Sequence, residues 1–418
     1  MERELPPVFK VLPQETQALI HEALRLGMSQ QSYQGAEAAA ACDKALESAR
    51  MVAPSSPELT RAIAGLLLLK SQILEREGQN PRLQDALTGY EKAIEELGRL
   101  EASEAVTREI AVAWMNRGNV LQRMGEPNAL QEALKSYDTT IEKLQSQIES
   151  DVMARNTVGA ALLNRGTALQ RLNTQEGHAL AVRAYEQAIE VFRIRPEGYE
   201  EHFGRLSAGA LLNRGGALLA AFGASRAPEA LLGCNEVLKA LKEGEERDLA
   251  AADLSMRARR LACEGLGVLL QATAQLATPE RPGWISEATD HAEHALQLAQ
   301  TWEHKGVLGF RPVVPWFLHY GAAVYSHHQP QFLSEFLVDT LDGASTPAPW
   351  KSAPQLKQIA LQSIQRVRQH LGSELFRDLK GPDAEKLNEV INDLQQAEAR
   401  LNATPPPAAP PTTQATTA

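Results

Sequence analysis

The sequence predicts an all-α solenoid of stacked helical hairpins, closed by an aromatic-rich C-terminal cap. Three observations predict it. The first is a segment that recurs almost unchanged, as Ala113-Trp-Met-Asn-Arg-Gly-Asn-Val-Leu-Gln-Arg-Met-Gly125, Ala161-Leu-Leu-Asn-Arg-Gly-Thr-Ala-Leu-Gln-Arg-Leu-Asn173 and Ala210-Leu-Leu-Asn-Arg-Gly-Gly-Ala-Leu-Leu-Ala-Ala-Phe-Gly223. Its Asn-Arg-Gly triplets lie 48 and 49 residues apart, and a fixed period in this range marks a repeat array. The second is another helical frame between the copies. The third is a composition rich in Ala, Leu, Glu and Gln, all good helix formers, with no stretch of alternating Val, Ile and Thr that would read as strand.

In chain order, residues 1–13 form a short N-terminal extension. Six helix pairs follow over residues 14–300. The second helix of each pair carries the frame Ala-x3-aromatic-x2-small, in full in the second, third and fourth pairs and in weaker form in the first, fifth and sixth. It reads Ala38/Cys42/Ala45, Ala86/Tyr90/Ala93, Ala133/Tyr137/Thr140, Ala181/Tyr185/Ala188, Ala230/Cys234/Val237 and Ala288/Ala292/Ala295. The frame starts are 48, 47, 48, 49 and 58 residues apart. In the first helix, Trp114, Gly118, Leu121 and Gly125 fall on one face. A mid-helix glycine costs about 1 kcal/mol against alanine, so its recurrence at Gly118, Gly166 and Gly215 predicts a close helix approach filled by the tyrosine ring of the partner helix. Cys42 and Cys234 stand at the ring position and read as small core residues.

Trp114, Gly118, Leu121, Gly125, Ala133, Tyr137 and Thr140 match, in order, the pattern of the tetratricopeptide repeat, which this chain resembles over roughly residues 14–300. That resemblance implies a right-handed superhelix whose first helices line a concave groove. The period departs from the family's: about 34 residues there, about 48 here. Most of the excess falls at the end of the second helix and the start of the next pair. Elongated helices and a deeper groove are expected.

The resemblance also directs attention to the first-helix residues opposite the packing face. Asn116, Asn119 and Arg123 lie at i, i+3 and i+7. Asn164, Thr167 and Arg171 repeat the row, with Gln122 and Gln170 beside them, and Asn213 extends it. Such a ladder of amides and guanidinium groups suits an extended peptide, with its C=O, N–H and carboxylate groups. The alternative is that the asparagines pack between repeats, and that Arg117, Arg165 and Arg214 lie along neighbouring helices and pair with Asp138 or Glu186. Co-chaperones of this family use a carboxylate clamp. It needs lysines where this chain has Met115, Leu163 and Ala160, so a clamp of that kind is not expected.

Beyond the array, residues 301–345 read as a degenerate seventh pair or cap. Eight of the 21 aromatic residues and six of the ten histidines cluster between residues 291 and 336, which leaves an aromatic pocket as the other reading. His291 and His294 share a helix face, but spacing alone does not assign a metal. Residues 346–402 read as a linker and terminal helices. The Pro/Thr/Ala tail at 403–418 cannot build a core and is expected to be disordered.

The formal net charge of −10 lacks the basic footprint of a nucleic-acid binder. Arg257, Arg259 and Arg260 read as a solvated helix face. No apolar run is long enough to span a membrane. Three distant cysteines point to a reducing compartment, with the cytoplasm as the expected location. No Gly-rich phosphate loop, HExxH, GxSxG or CxxC occurs, and no cofactor or metal is expected. The leading expectation is therefore a non-catalytic adaptor that binds a protein or peptide. A self-assembling structural protein, and a regulator or enzyme with a small-molecule pocket near residues 291–336, are the alternatives.

Overall fold

A computed structural model of the chain describes residues 4–28, 33–52, 56–273 and 280–307, with a few positions between 392 and 399. The described residues form twelve α-helices: α1 (Gln14–Met28), α2 (Gly35–Arg50), α3 (Pro57–Glu77), α4 (Asn80–Gly98), α5 (Glu104–Met124), α6 (Pro127–Leu144), α7 (Val152–Arg171), α8 (Gln175–Arg193), α9 (Glu200–Phe222), α10 (Ala227–Leu241), α11 (Leu249–Ala272) and α12 (Arg281–His304). Strands are absent among these residues. Consecutive helices pack against their neighbours, giving the all-α helical-hairpin solenoid that the periodicity predicts. The chain divides into two compact units, residues 1–217 and 218–418, with the division inside α9. The cap expected over 301–345 lies outside the described residues beyond Val307. The expected linker and tail also lie outside them, apart from those few positions.

Local sequence sets the helix ends. Ser56 and Ser103 cap α3 and α5 by accepting from Leu59 N at 3.1 Å and Val106 N at 3.2 Å. Asp151 and Thr174 do the same for α7 and α8. Gly78 and Gly125 close α3 and α5 with φ of 72° and 78°, a left-handed conformation that favours glycine.

Helices α5 and α7 have 21 and 20 residues, about 30 Å of rise each. The added length lies mainly on their N-terminal side. The copied segment begins at Ala161, yet α7 begins nine residues earlier at Val152. After α6 the chain makes only a short 3-10 turn, Gln145–Gln147.

In the first unit the core runs along the seam between the helices of each pair. Tyr90, Tyr137 and Tyr185 are completely buried. A Cβ on Gly118 would stand 2.7 Å from Cε1 of Tyr137, a spacing that real side chains do not tolerate. The expected exchange of a side chain for a ring is therefore present, but Trp114 is only half-buried, and Ala113 and Val120 share the packed face instead. The N-terminal extension joins this core. Leu5, Phe9 and Leu12 are buried, and the Phe9 ring lies over Gly65 of α3.

In the second unit a carboxylate organises the packing. Glu245, in the loop between α10 and α11, is buried and accepts from Ser255 of α11, from Arg259 at 3.3 Å and from His294 of α12 at 2.8 Å. Its backbone carbonyl accepts from Trp302 Nε1 at 2.9 Å. Burial alone would raise its pKa. The bonds from His294 and Ser255 and the charge of Arg259 outweigh burial and hold it down at about 2.

Candidate functional site

Three sets of bonds recur from repeat to repeat, and they determine where the row of candidate side chains ends up. The first set serves the tyrosines. Tyr90 donates to Glu75 Oε2 at 3.0 Å, Tyr137 to Gln122 Oε1 at 2.7 Å and Tyr185 to Gln170 Oε1 at 2.5 Å. Each acceptor lies fifteen residues before its ring, so Gln122 and Gln170 satisfy buried phenols. Asn119 Oδ1 lies 3.0 Å from the Tyr137 hydroxyl and also accepts from Asn164 Nδ2 at 2.8 Å, joining two repeats. Thr167 donates to the Leu163 carbonyl at 3.0 Å.

The second set joins successive first helices. Arg76 Nη1 donates to the Gly27 carbonyl at 3.0 Å, and Arg123 Nη1 to the Glu75 carbonyl at 2.7 Å. Arg171 Nη1 donates to the Gln122 carbonyl. Each carbonyl lies in the last turn of the preceding first helix, where the ladder leaves acceptors unsatisfied and a cation is favoured. The guanidinium ends rest against Gly78 and Gly125, where a Cβ would stand 3.0 Å from the nitrogen.

The third set pairs the middle of each first helix with the preceding second helix. Lys70 pairs with Asp43 at 2.5 Å, Arg117 with Glu91 at 3.1 Å, Arg165 with Asp138 at 2.6 Å and Arg214 with Glu186 at 2.9 Å. The pairings expected of Arg165 and Arg214 are present. Arg117 also stacks on Trp114, 5.2 Å from the ring centroid.

Of the nine row residues, Asn119, Gln122, Arg123, Asn164, Thr167, Gln170 and Arg171 thus have partners inside the array. Asn213 also makes an interaction within the chain. Asn116 is half-buried. Arg123 and Arg171 are nonetheless exposed.

A wide opening lies elsewhere. A cavity of about 1040 Å³ runs between α6 and α8 in the first unit, floored by α7 and α9. Ile141, Ile148, Leu180, Ile189, Val191 and Leu211 line it while only half-buried. Four arginines also line it, with three acids among them. Arg165 and Arg214 are neutralised by Asp138 and Glu186, and Glu190 pairs with Arg193 at 3.2 Å. Arg155 and Arg183 have no acidic partner among the described residues. A smaller cavity of about 470 Å³ occupies the corresponding place between α2 and α4. Sequence reasoning did not find the larger one. Its lining comes from five elements, and no local pattern shows that two second helices stand apart.

The remaining candidates resolve into packing. Cys42, Cys234 and Cys263 are buried free thiols. Burial pushes the first two up to about 12, with Asp43 and Glu264 adding to the rise. Arg259 pairs with Glu245, and Arg260 with Glu264 at 3.0 Å. His294 is bound to Glu245, and among the described residues no group of three His, Cys, Asp or Glu is placed to hold a metal ion. No helix among them is long and apolar enough to cross a membrane.

No family model matches the chain, and no curated protein matches it. Among solved structures it is similar to the crystal structure of BtubC (BKLC) from P. vanneervenii, at 16% sequence identity and a TM-score of 0.44, with 63% of this chain and 91% of that one covered. Likeness at that level is loose and specifies neither an activity nor a partner.

Proposed function

We propose that the chain is a non-catalytic adaptor, cytoplasmic in location, that binds a peptide or protein segment in the trough between α6 and α8. One observation carries this reading: half-buried aliphatic side chains line an opening of about 1040 Å³. Apolar surface left accessible in one continuous place marks an interaction site more often than it marks a defect of packing. The resemblance to tetratricopeptide repeats supports a binding role in general. The row on the first helices is the weaker candidate, because its amide and guanidinium groups already have partners that hold repeats together.

A display selection tests it. Random peptides of about 16 residues, long enough for four helical turns, are selected on the full chain and rebound to Ile194→Glu, a change at an exposed rim position. Enriched peptides that lose binding to the variant support the reading. No enrichment, or enriched peptides indifferent to Ile194→Glu, would overturn it.

A further inference from the structure

The trough has a chemistry as well as a shape. Along α8 and its C-cap the lining runs from Leu180 to Ile194, about 20 Å at the helical rise per residue. That length suits a chain segment better than a compact small molecule. Arg155 of α7 lines it with only 3% of its surface exposed. Its Nη2 donates to the Glu149 carbonyl at 3.0 Å, and its Nε has no hydrogen-bond partner. A buried cation without a counter-charge is costly, and a guanidinium N–H donates a strong, charge-assisted bond to a carboxylate. Arg183, exposed on α8 and also without an acidic partner, adds a second positive charge. The other arginines of the lining are neutralised, so the excess charge is confined to these two residues.

We infer that the trough takes an acidic amphipathic segment of a partner protein. Its aliphatic side chains lie against Ile141, Ile148 and Ile189, and a Glu, Asp or terminal carboxylate reaches Arg155 and Arg183. This rests on the reading of the trough as the binding site and specifies what it binds.

The display selection separates the two claims. The expected result is that enriched peptides combine aliphatic anchors with an excess of acidic residues. Arg183→Glu weakens their binding at least tenfold, and added salt weakens it further. Arg155→Gln does the same, with helicity by circular dichroism as the folding control. Because Arg183 is exposed, its variant keeps the test decisive should Arg155→Gln misfold. Peptides that lose binding with Ile194→Glu but lack acidic residues, or that tolerate Arg183→Glu, would overturn the acidic partner and leave the binding site standing. Peptides indifferent to all three changes, or no enrichment, would overturn both. Self-association of the full chain that Ile194→Glu abolishes would identify a second copy as the occupant and overturn the inference.

Discussion

Gly166 and Tyr185 share one space: a Cβ added to the glycine would stand 2.6 Å from Cε1 of the ring. The same relation holds between Gly118 and Tyr137. The mid-helix glycine is therefore a packing requirement, and its cost in helix propensity is offset by a fully buried ring.

Substitution at Gly166 separates the two effects. Gly166→Ala is expected to lower stability by about 2 kcal/mol through overpacking. Gly216 also lies in a helix, but a methyl group there would meet nothing within 4 Å, so Gly216→Ala is expected to raise stability by about 1 kcal/mol. Denaturant midpoints of the two variants give the comparison. Equal shifts of the same sign would contradict the packing account.

Glu75 occupies the place that Gln122 and Gln170 hold in the next two repeats. Burial raises its pKa above the ordinary 4.5, against the lowering effects of the Tyr90 bond and Arg123. A carboxyl whose folded pKa is raised contributes fully below its unfolded value and loses that contribution as pH rises through the folded one. Glu75→Gln is therefore expected to stabilise the chain at neutral pH by about 1 kcal/mol while keeping an acceptor for Tyr90. The advantage should shrink as pH falls through the raised folded value toward 4.5 and be lost below that, as melting temperatures at several pH values would show.

Arg123 is bonded to the end of α3, 48 residues earlier. Arg123→Met keeps the aliphatic stem and removes the donor. With the side chain 45% exposed, the expected loss is modest, about 1 kcal/mol. Hydrogen exchange should quicken in the last turns of α3 and α5. Exchange that quickens only at α5 would contradict a link between repeats.

Glu245 makes the second unit acid-sensitive. Its folded pKa of about 2 lies below the ordinary 4.5, so its contribution is complete above about pH 5 and declines as pH falls toward 2. Glu245→Ala leaves Arg259 buried without a partner and is expected to cost about 3 kcal/mol. The variant should also lose less further stability between pH 5 and 3 than the wild type. Exchange rates in α11 and α12 are the readout, and parallel losses in both proteins would contradict the assignment.

The repeat frame was legible in the sequence because it depends on residues a few positions apart. Ala133, Tyr137 and Thr140 identify a packed face without knowledge of their neighbours. The pairs Arg165–Asp138 and Arg214–Glu186 were legible for a related reason: the register of one repeat on the next is fixed by the period. What the row of amides does was less legible. Gln122 looks solvent-facing on a helical projection, and only the position of the Tyr137 hydroxyl shows its bond. The constant spacing of fifteen residues from Glu75, Gln122 and Gln170 to the tyrosines was the available signal. The trough was not legible at all. The burial of Arg155 and its missing counter-charge are properties of three-dimensional neighbours that no local pattern records.

Hydrogen exchange of the full chain, alone and saturated with a peptide enriched by the display selection, tests the central claim most directly. The account predicts slowed exchange over residues 138–148 and 180–194, with little change over 116–123. Protection confined to 116–123 and 164–171 would contradict it and return the site to the row on the first helices.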